Sequence, residues 1–203
     1  MARKTKAEAA ATREALLDAA EEVFFAQGVA RTSLEQIARH AGLTRGAVYW
    51  HFKNKGDLFM ALVERVRMPF QSLMEEVSKA DEDISPMEAI RLACHAGLVR
   101  LEQPSHQRIL SILLHRCEFF SDINPLAMQD EIGEECFDEM LSVFKEAEKR
   151  QLLREDLTPE IATRMMQSVL GGLFHDWLRT PDAFSIRQRG GELIDTLIRI
   201  MHR

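Results

Sequence analysis

Apolar residues recur at helical spacing along almost the whole of this chain, and that periodicity leaves little room for a sheet. Leu16, Leu17, Ala20, Val23 and Phe24 share one face of a first helix, which should close at Gln27-Gly28 with the glycine as a left-handed cap. Thr32 with Glu35, or Ser33 with Gln36, fits a capping box at the head of a second helix, stopped by Gly42. Thr44 reads as the N-cap of a short third helix over 45–51. Asn54 or Asp57 opens a long fourth helix towards Val77, with a kink expected at Pro69. Turn signals such as Ser85-Pro86, Asn124-Pro125 and Thr158-Pro159 separate further helices at about 86–102, 106–119, 124–151, 158–179 and 185–202. The expected fold is all-α, with about nine helices and no strand.

Charge divides the chain where the helices shorten. Residues 1–56 carry nine Lys/Arg against six Asp/Glu, a net +3, whereas residues 57–203 carry 17 against 26, a net −9. A basic head on an acidic body suits a nucleic-acid-reading domain over 1–56 joined to a different domain over 57–203. At 46% apolar and 29% charged residues the chain has the balance of a globular protein, not of a disordered one. Cys94, Cys117 and Cys136 form no C-x-x-C pair, so neither zinc nor a disulfide framework is expected and a reducing cytoplasm is the simplest location. The opening MARKTKAEAAATRE lacks the apolar stretch of a signal peptide, and no apolar run reaches the ~18 residues of a membrane span. Glycine-rich phosphate loops, G-x-S-x-G and HExxH are missing too, so no enzyme, cofactor or metal is expected.

The stretch Ser33 to Phe52, SLEQIARHAGLTRGAVYWHF, reads as helix, tight glycine turn and short helix. Ile37, Ala38, Leu43 and Val48 would lock the pair together, leaving the second helix to enter a major groove N-terminus first. Its outer face would carry Arg45, Gly46, Ala47, Tyr49, Trp50 and His51. Arginine can pair with guanine through two bonds, while Thr44 and Tyr49 can reach phosphates. Lys53 and Lys55 follow at once, and Thr32 and Ser33 at the head of the preceding helix complete the set expected to face DNA. A corner that merely packed two helices would have no use for Arg45, His51, Lys53 and Lys55 together.

TRGAVYWHFKNK, residues 44–55, resembles the signature of the TetR family of bacterial repressors. The N-terminal MARKTKAEAAATRE and LLHRCEF at 113–119 resemble its AcrR/TtgR-like branch of multidrug-efflux regulators. The likeness implies that Thr44, Tyr49, His51 and Lys55 meet phosphates and that Arg45, Gly46 and Ala47 approach bases. It also implies that Lys4 and Lys6 form a basic arm along neighbouring backbone. Nine of ten methionines and eight of eleven phenylalanines lie beyond residue 56, a composition that suits an adaptable apolar site. Leu92, Ala96, Leu113, Cys136, Phe137, Met140, Phe144, Met166, Val169, Leu170 and Phe174 are the expected lining. His115 is the expected polar edge, with Glu118 and Asp176 as further polar candidates.

Ile161, Met165, Leu170, Leu173 and Trp177 on one late helix, and Leu193, Leu197 and Met201 on the next, are apolar on more faces than one core needs. Gly171-Gly172 would allow close helix approach, and the family likeness implies a twofold four-helix interface there. The expected function is a homodimeric repressor that binds a palindromic operator and leaves it when a small apolar or aromatic effector binds. Control of a metabolic or lipid-degradation operon is the alternative within the family, and an architectural DNA-binding protein without a ligand the alternative outside it.

Overall fold

The computed structural model describes residues 5–118 and 123–203. Among them are ten α-helices: α1 Lys6–Gln27, α2 Leu34–His40, α3 Arg45–His51, α4 Lys55–Glu64, α5 Phe70–Ala80, α6 Pro86–Leu101, α7 Pro104–Ser111, α8 Pro125–Lys149, α9 Pro159–Arg179 and α10 Ile186–Met201. A π-helical turn, Ile112–Arg116, follows α7 and a 3-10 turn, Pro181–Ala183, follows α9. Leu153 and His202 form an antiparallel bridge.

The count is ten and not nine because Pro69 ends a helix instead of kinking one. The chain tightens at Val66 and Arg67, whose N–H groups donate to Val63 and Glu64 three residues back. Pro69 is extended (φ −54°, ψ 133°) and opens α5 as its N-cap. A proline disfavours helix in the residue before it and lacks the donor that would bridge the gap. Pro104 likewise starts α7 two residues ahead of the expected 106. Gly28 does take a positive φ (82°), but its ψ of 158° is extended, so it turns the chain without a left-handed helical cap.

The contacts gather into two compact units: Met1–Arg67 with Ser105–Ala127, and Met68–Pro104 with Met128–Arg203. In the first, α1 packs on α2, α3 and α4. Leu16, Leu17 and Phe24 of α1 are wholly buried together with Ile37, Val48, Leu58, Phe59 and Leu62. The Phe24 and Phe59 rings meet edge to face at 6.0 Å, a favoured aromatic geometry. Glu21 is buried on the same helix, where its carboxylate accepts Ser105 Oγ at 2.7 Å and Arg108 Nε at 2.6 Å. That pair ties α7 to α1 without leaving a buried charge uncompensated.

In the second unit α6 packs on α5 and α10, and α10 on α9. Gly190 permits the closest of these approaches, since a Cβ there would lie 2.8 Å from both Leu173 Cδ2 and Leu98 Cδ1. Asp195 of α10 adds a polar joint to α6: its Oδ1 accepts Arg91 at 3.1 Å and lies 2.8 Å from His95 Nε2. The two bonded partners, His95 first and then Arg91, hold the Asp195 carboxyl below its ordinary pKa.

Candidate nucleic-acid interface

The helix pair forms through local polar closures at each end. Ser33 Oγ accepts the Gln36 N–H at 3.2 Å and Gln36 Oε1 accepts the Ser33 N–H at 2.7 Å, so Ser33 with Gln36 is the capping box that caps α2. Gly42 turns the chain at φ 67°, and the Leu43 N–H returns to Ala38 O at 2.8 Å. Thr44 Oγ1 then caps α3 through the Ala47 N–H at 3.2 Å. Next, Asn54 Oδ1 caps α4 through Asp57 N at 2.7 Å, while Asp57 Oδ2 accepts Lys53 N at 2.9 Å. Each cap contributes about 1 kcal/mol to a helix too short to stand alone.

Val48 is the buried residue of α3, Ala47 is half-buried, and Arg45, Gly46, Tyr49 and Trp50 are exposed. Arg45 has 73% of its side chain exposed, Trp50 is 72% exposed and Tyr49 45% exposed, far more than a packing corner would leave open. A Cβ at Gly46 would meet only Thr44 Oγ1, at 3.9 Å. Among the described residues, no close contact calls for a glycine there. His51 is half-buried with its ring edge-on to Trp50, centroids 4.5 Å apart. Lys6 and Lys53 are exposed, and Lys4 lies outside the described residues.

Three expected contacts are placed differently. Thr32 is buried, and its hydroxyl donates to Gly28 O at 2.8 Å; the Ser33 hydroxyl is the α2 cap. Both side chains shape the helix pair from within. Lys55 turns back into the unit, where its ammonium donates to the carbonyls of Val29, Ala30 and Thr32 at 2.8, 3.0 and 2.9 Å. A lysine already bonded to three carbonyls braces the α1–α2 connection and is poorly placed for phosphate. Lys55→Met should therefore lower unfolding free energy by about 3 kcal/mol, from the loss of charge-assisted bonds to partly buried acceptors. Folded Lys55→Met protein should keep the salt dependence of the parent on random duplex, whereas loss of a phosphate contact would flatten the log–log slope by about 0.9.

Glu35, absent from the set expected from sequence, stands beside the outward face. Its Oε1 lies 3.1 Å from Arg45 Nε and accepts the Tyr49 hydroxyl at 3.0 Å, and the Arg45 guanidinium lies 5.4 Å from the Tyr49 ring centroid. A hydrogen bond at its own backbone and the Tyr49 hydroxyl, then the Arg45 charge and Ser33, hold the carboxyl below its ordinary pKa. In the sequence it is marked only as the one acid between Glu22 and Asp57.

The expected effector residues are divided between the two units. Leu113 is buried and His115 half-buried in the first unit, in the π-helical turn. In the second unit Met140, Phe144 and Met166 are wholly buried and Leu170 nearly so. Ala96, Cys136, Val169 and Phe174 are half-buried there. Burial raises the Cys136 thiol to about 11, which keeps it neutral. Leu92 borders a cavity of about 360 Å³ between α5 and α6, with Val77, Ala80 and Ile84. Phe137 borders one of about 530 Å³ between α8 and α9, but that groove is polar: Asp130, Glu134, Asp138 and Gln167 line it, and Arg164 stacks over the ring at 4.3 Å. Phe137 thus faces a charged groove because α8 turns its acidic side to Arg164.

The residues of the expected partner face divide between buried and open positions. Leu170, Leu173, Trp177, Leu197 and Met201 are at most 8% exposed within the single chain, so they belong to its own core; Met165 is half-buried. What the two helices leave open is Ile161 at 54%, Leu193 at 40% and Ile200 at 46%, with Gly171 and Gly172 facing open space. Ile161 and Leu193 are thus the open members of the expected set, and Ile200 is an open neighbour outside it.

Comparison with known proteins agrees with this geometry. Residues 16–62 match the bacterial regulatory proteins of the tetR family, and residues 85–203 match the C-terminal region of MAATS-type transcriptional repressors. The HTH-type transcriptional repressor BepR of Brucella suis biovar 1 (strain 1330) is 33% identical over 198 residues, 97% of this chain and 94% of BepR. The crystal structure of NalD, the secondary repressor of the MexAB-OprM multidrug efflux pump in Pseudomonas aeruginosa, superposes with a TM-score of 0.85 at 38% identity, covering 98% of this chain and 99% of NalD. The triclosan complex of SmeT, the repressor of the Stenotrophomonas maltophilia multidrug efflux pump SmeDEF, gives 0.82 at 35% identity, covering 95% and 92%. With a capped helix pair that presents Arg45, Tyr49 and Trp50 to solvent and matches along nearly its whole length, this chain belongs to the TetR family of bacterial transcriptional regulators.

Proposed function

We propose that this chain is a homodimeric repressor of a multidrug-efflux operon, released from its operator by a small apolar or aromatic effector. The observation that carries the reading is the outward face of α3 in a chain similar from end to end to NalD and SmeT, whose names give them as efflux-pump repressors. In this reading residues 1–56 bind DNA and residues 57–203 hold the effector and the partner, and the protein works in the cytoplasm. Two copies related by a twofold axis would set their α3 helices about 34–36 Å apart on a palindromic site. An effector that prefers a conformation with the wrong spacing would weaken operator binding by about 5- to 150-fold, the usual range of allosteric coupling.

SmeT in complex with triclosan supports an apolar, aromatic effector class for this chain. The half-buried Val169 and Phe174 and the buried Met140 and Met166 are the apolar side chains of the second unit proposed to surround it. The test is a gel-shift titration of the full chain on the duplex upstream of its own gene and of any adjacent transporter gene, with triclosan and a panel of planar hydrophobic compounds. At least one should release the duplex and raise the melting temperature of the protein, as a ligand of the folded state must. Val169→Trp should bind DNA as the parent does and lose the response. A duplex bound equally well with and without every compound would overturn effector control.

A further inference from the structure

Glu35 sets a carboxylate against the reading helix at the point where Arg45 leaves it. The guanidinium is a planar fork of five N–H groups, and Glu35 faces its Nε side at 3.1 Å. The outer edge, with the two terminal nitrogens, is the edge that pairs with O6 and N7 of guanine. Tyr49 completes the clamp, its hydroxyl bonded to the same carboxylate oxygen at 3.0 Å and its ring near the guanidinium. With 73% of the Arg45 side chain exposed, the clamp leaves that outer edge open.

A phosphate makes different demands. It accepts a guanidinium from any side, and taking Arg45 away from Glu35 would leave a bare carboxylate facing a polyanion. The clamp is therefore compatible with guanine and costly for a phosphate. We propose that Glu35 is a specificity-determining residue of this repressor: its carboxylate poises Arg45 to read guanine and withholds that arginine from the phosphates of unrelated DNA. The inference rests on the DNA-reading function proposed above and assigns its discrimination to a residue that need touch no base. Such a device gains specificity by penalising the wrong complex as much as by improving the right one.

Selection of the full-length chain on a random duplex library, followed by titration of the enriched duplex and a scrambled one, tests it. The parent should enrich sites with a fixed guanine, and changing that guanine to adenine should weaken binding roughly 5- to 150-fold. In Glu35→Gln, with its fold verified by circular dichroism, that penalty should fall most of the way to the value for Arg45→Ala. Glu35→Gln should also bind the scrambled duplex more tightly, with a log–log salt slope steeper by about 0.9 as the freed arginine neutralises one phosphate. An undiminished guanine penalty in Glu35→Gln, or an equal gain on both duplexes, would remove Glu35 from the reading of sequence. A parent protein that enriches no sequence at all would overturn the DNA-reading assignment and Glu35's role with it.

Discussion

Phe24→Ala should lose about 3–5 kcal/mol of unfolding free energy, the largest effect expected of any single truncation in the DNA-reading unit. The side chain is wholly buried on α1 and meets Phe59 of α4 edge to face, in a unit whose core also buries Leu16, Leu17 and Leu62 completely. Removal forfeits the transfer of a phenyl ring and leaves a hole that so small a packed core cannot close by collapse. An ordinary domain holds only about 5–15 kcal/mol in reserve, so the variant should also lose operator binding at physiological temperature. Urea titration followed by circular dichroism measures the loss. Phe24→Leu, which keeps most of the volume, should cost under about 1.5 kcal/mol. A cost below 1 kcal/mol for the alanine variant would mean that α1 and α4 are not joined through this ring.

Much of that unit is legible in the sequence because its determinants are local. Ser33, Thr44 and Asn54 cap the helices they precede, and Gly42 turns where a positive φ is needed, each decided within four residues. The outward position of Arg45, Tyr49 and Trp50 follows from Val48 being buried on a seven-residue helix. Lys55 and Glu35 were not legible because their partners are set by the fold. Nothing near residue 55 announces that the carbonyls of Val29, Ala30 and Thr32 converge on it. Glu35 reaches Tyr49 fourteen residues away. Pro69 shows a different limit: a proline in a periodic run is compatible with a kink or a break, and the neighbouring turn at Val66 and Arg67 decides between them.

The C-terminal helices show why periodicity cannot name an interface. Both α9 and α10 are apolar on two faces, and hydrophobicity alone does not say which face the chain's own core takes. In the fold, Leu170 and Leu197 turn inwards with Trp177 and Met201, while Ile161, Leu193 and Ile200 stay open. A Cβ at Gly171 or Gly172 would meet nothing within 4 Å, so that stretch of α9 leaves room for another helix at close range.

Leu193→Asp combined with Ile200→Asp should therefore yield a folded monomer. In the proposed dimer the twofold axis brings both open stripes together, so the pair of substitutions would bury four carboxylates with no cation facing them. Each unpartnered buried charge costs several kcal/mol, more than an interface of ordinary size can absorb. The helices themselves should persist, because neither side chain contributes to the core of its own chain. Leu170→Asp with Leu197→Asp should behave differently: those carboxylates would fall inside the second unit, and the product should be unfolded or insoluble. Sedimentation velocity at micromolar concentration, read beside circular dichroism, separates the two cases. A Leu193→Asp/Ile200→Asp protein that still sediments as a dimer would place the partner on another face. Monomeric protein with native helix content should lose the palindromic operator while retaining weak, salt-sensitive binding to duplex DNA, since one α3 helix can still reach a groove but the second half-site no longer adds to its affinity.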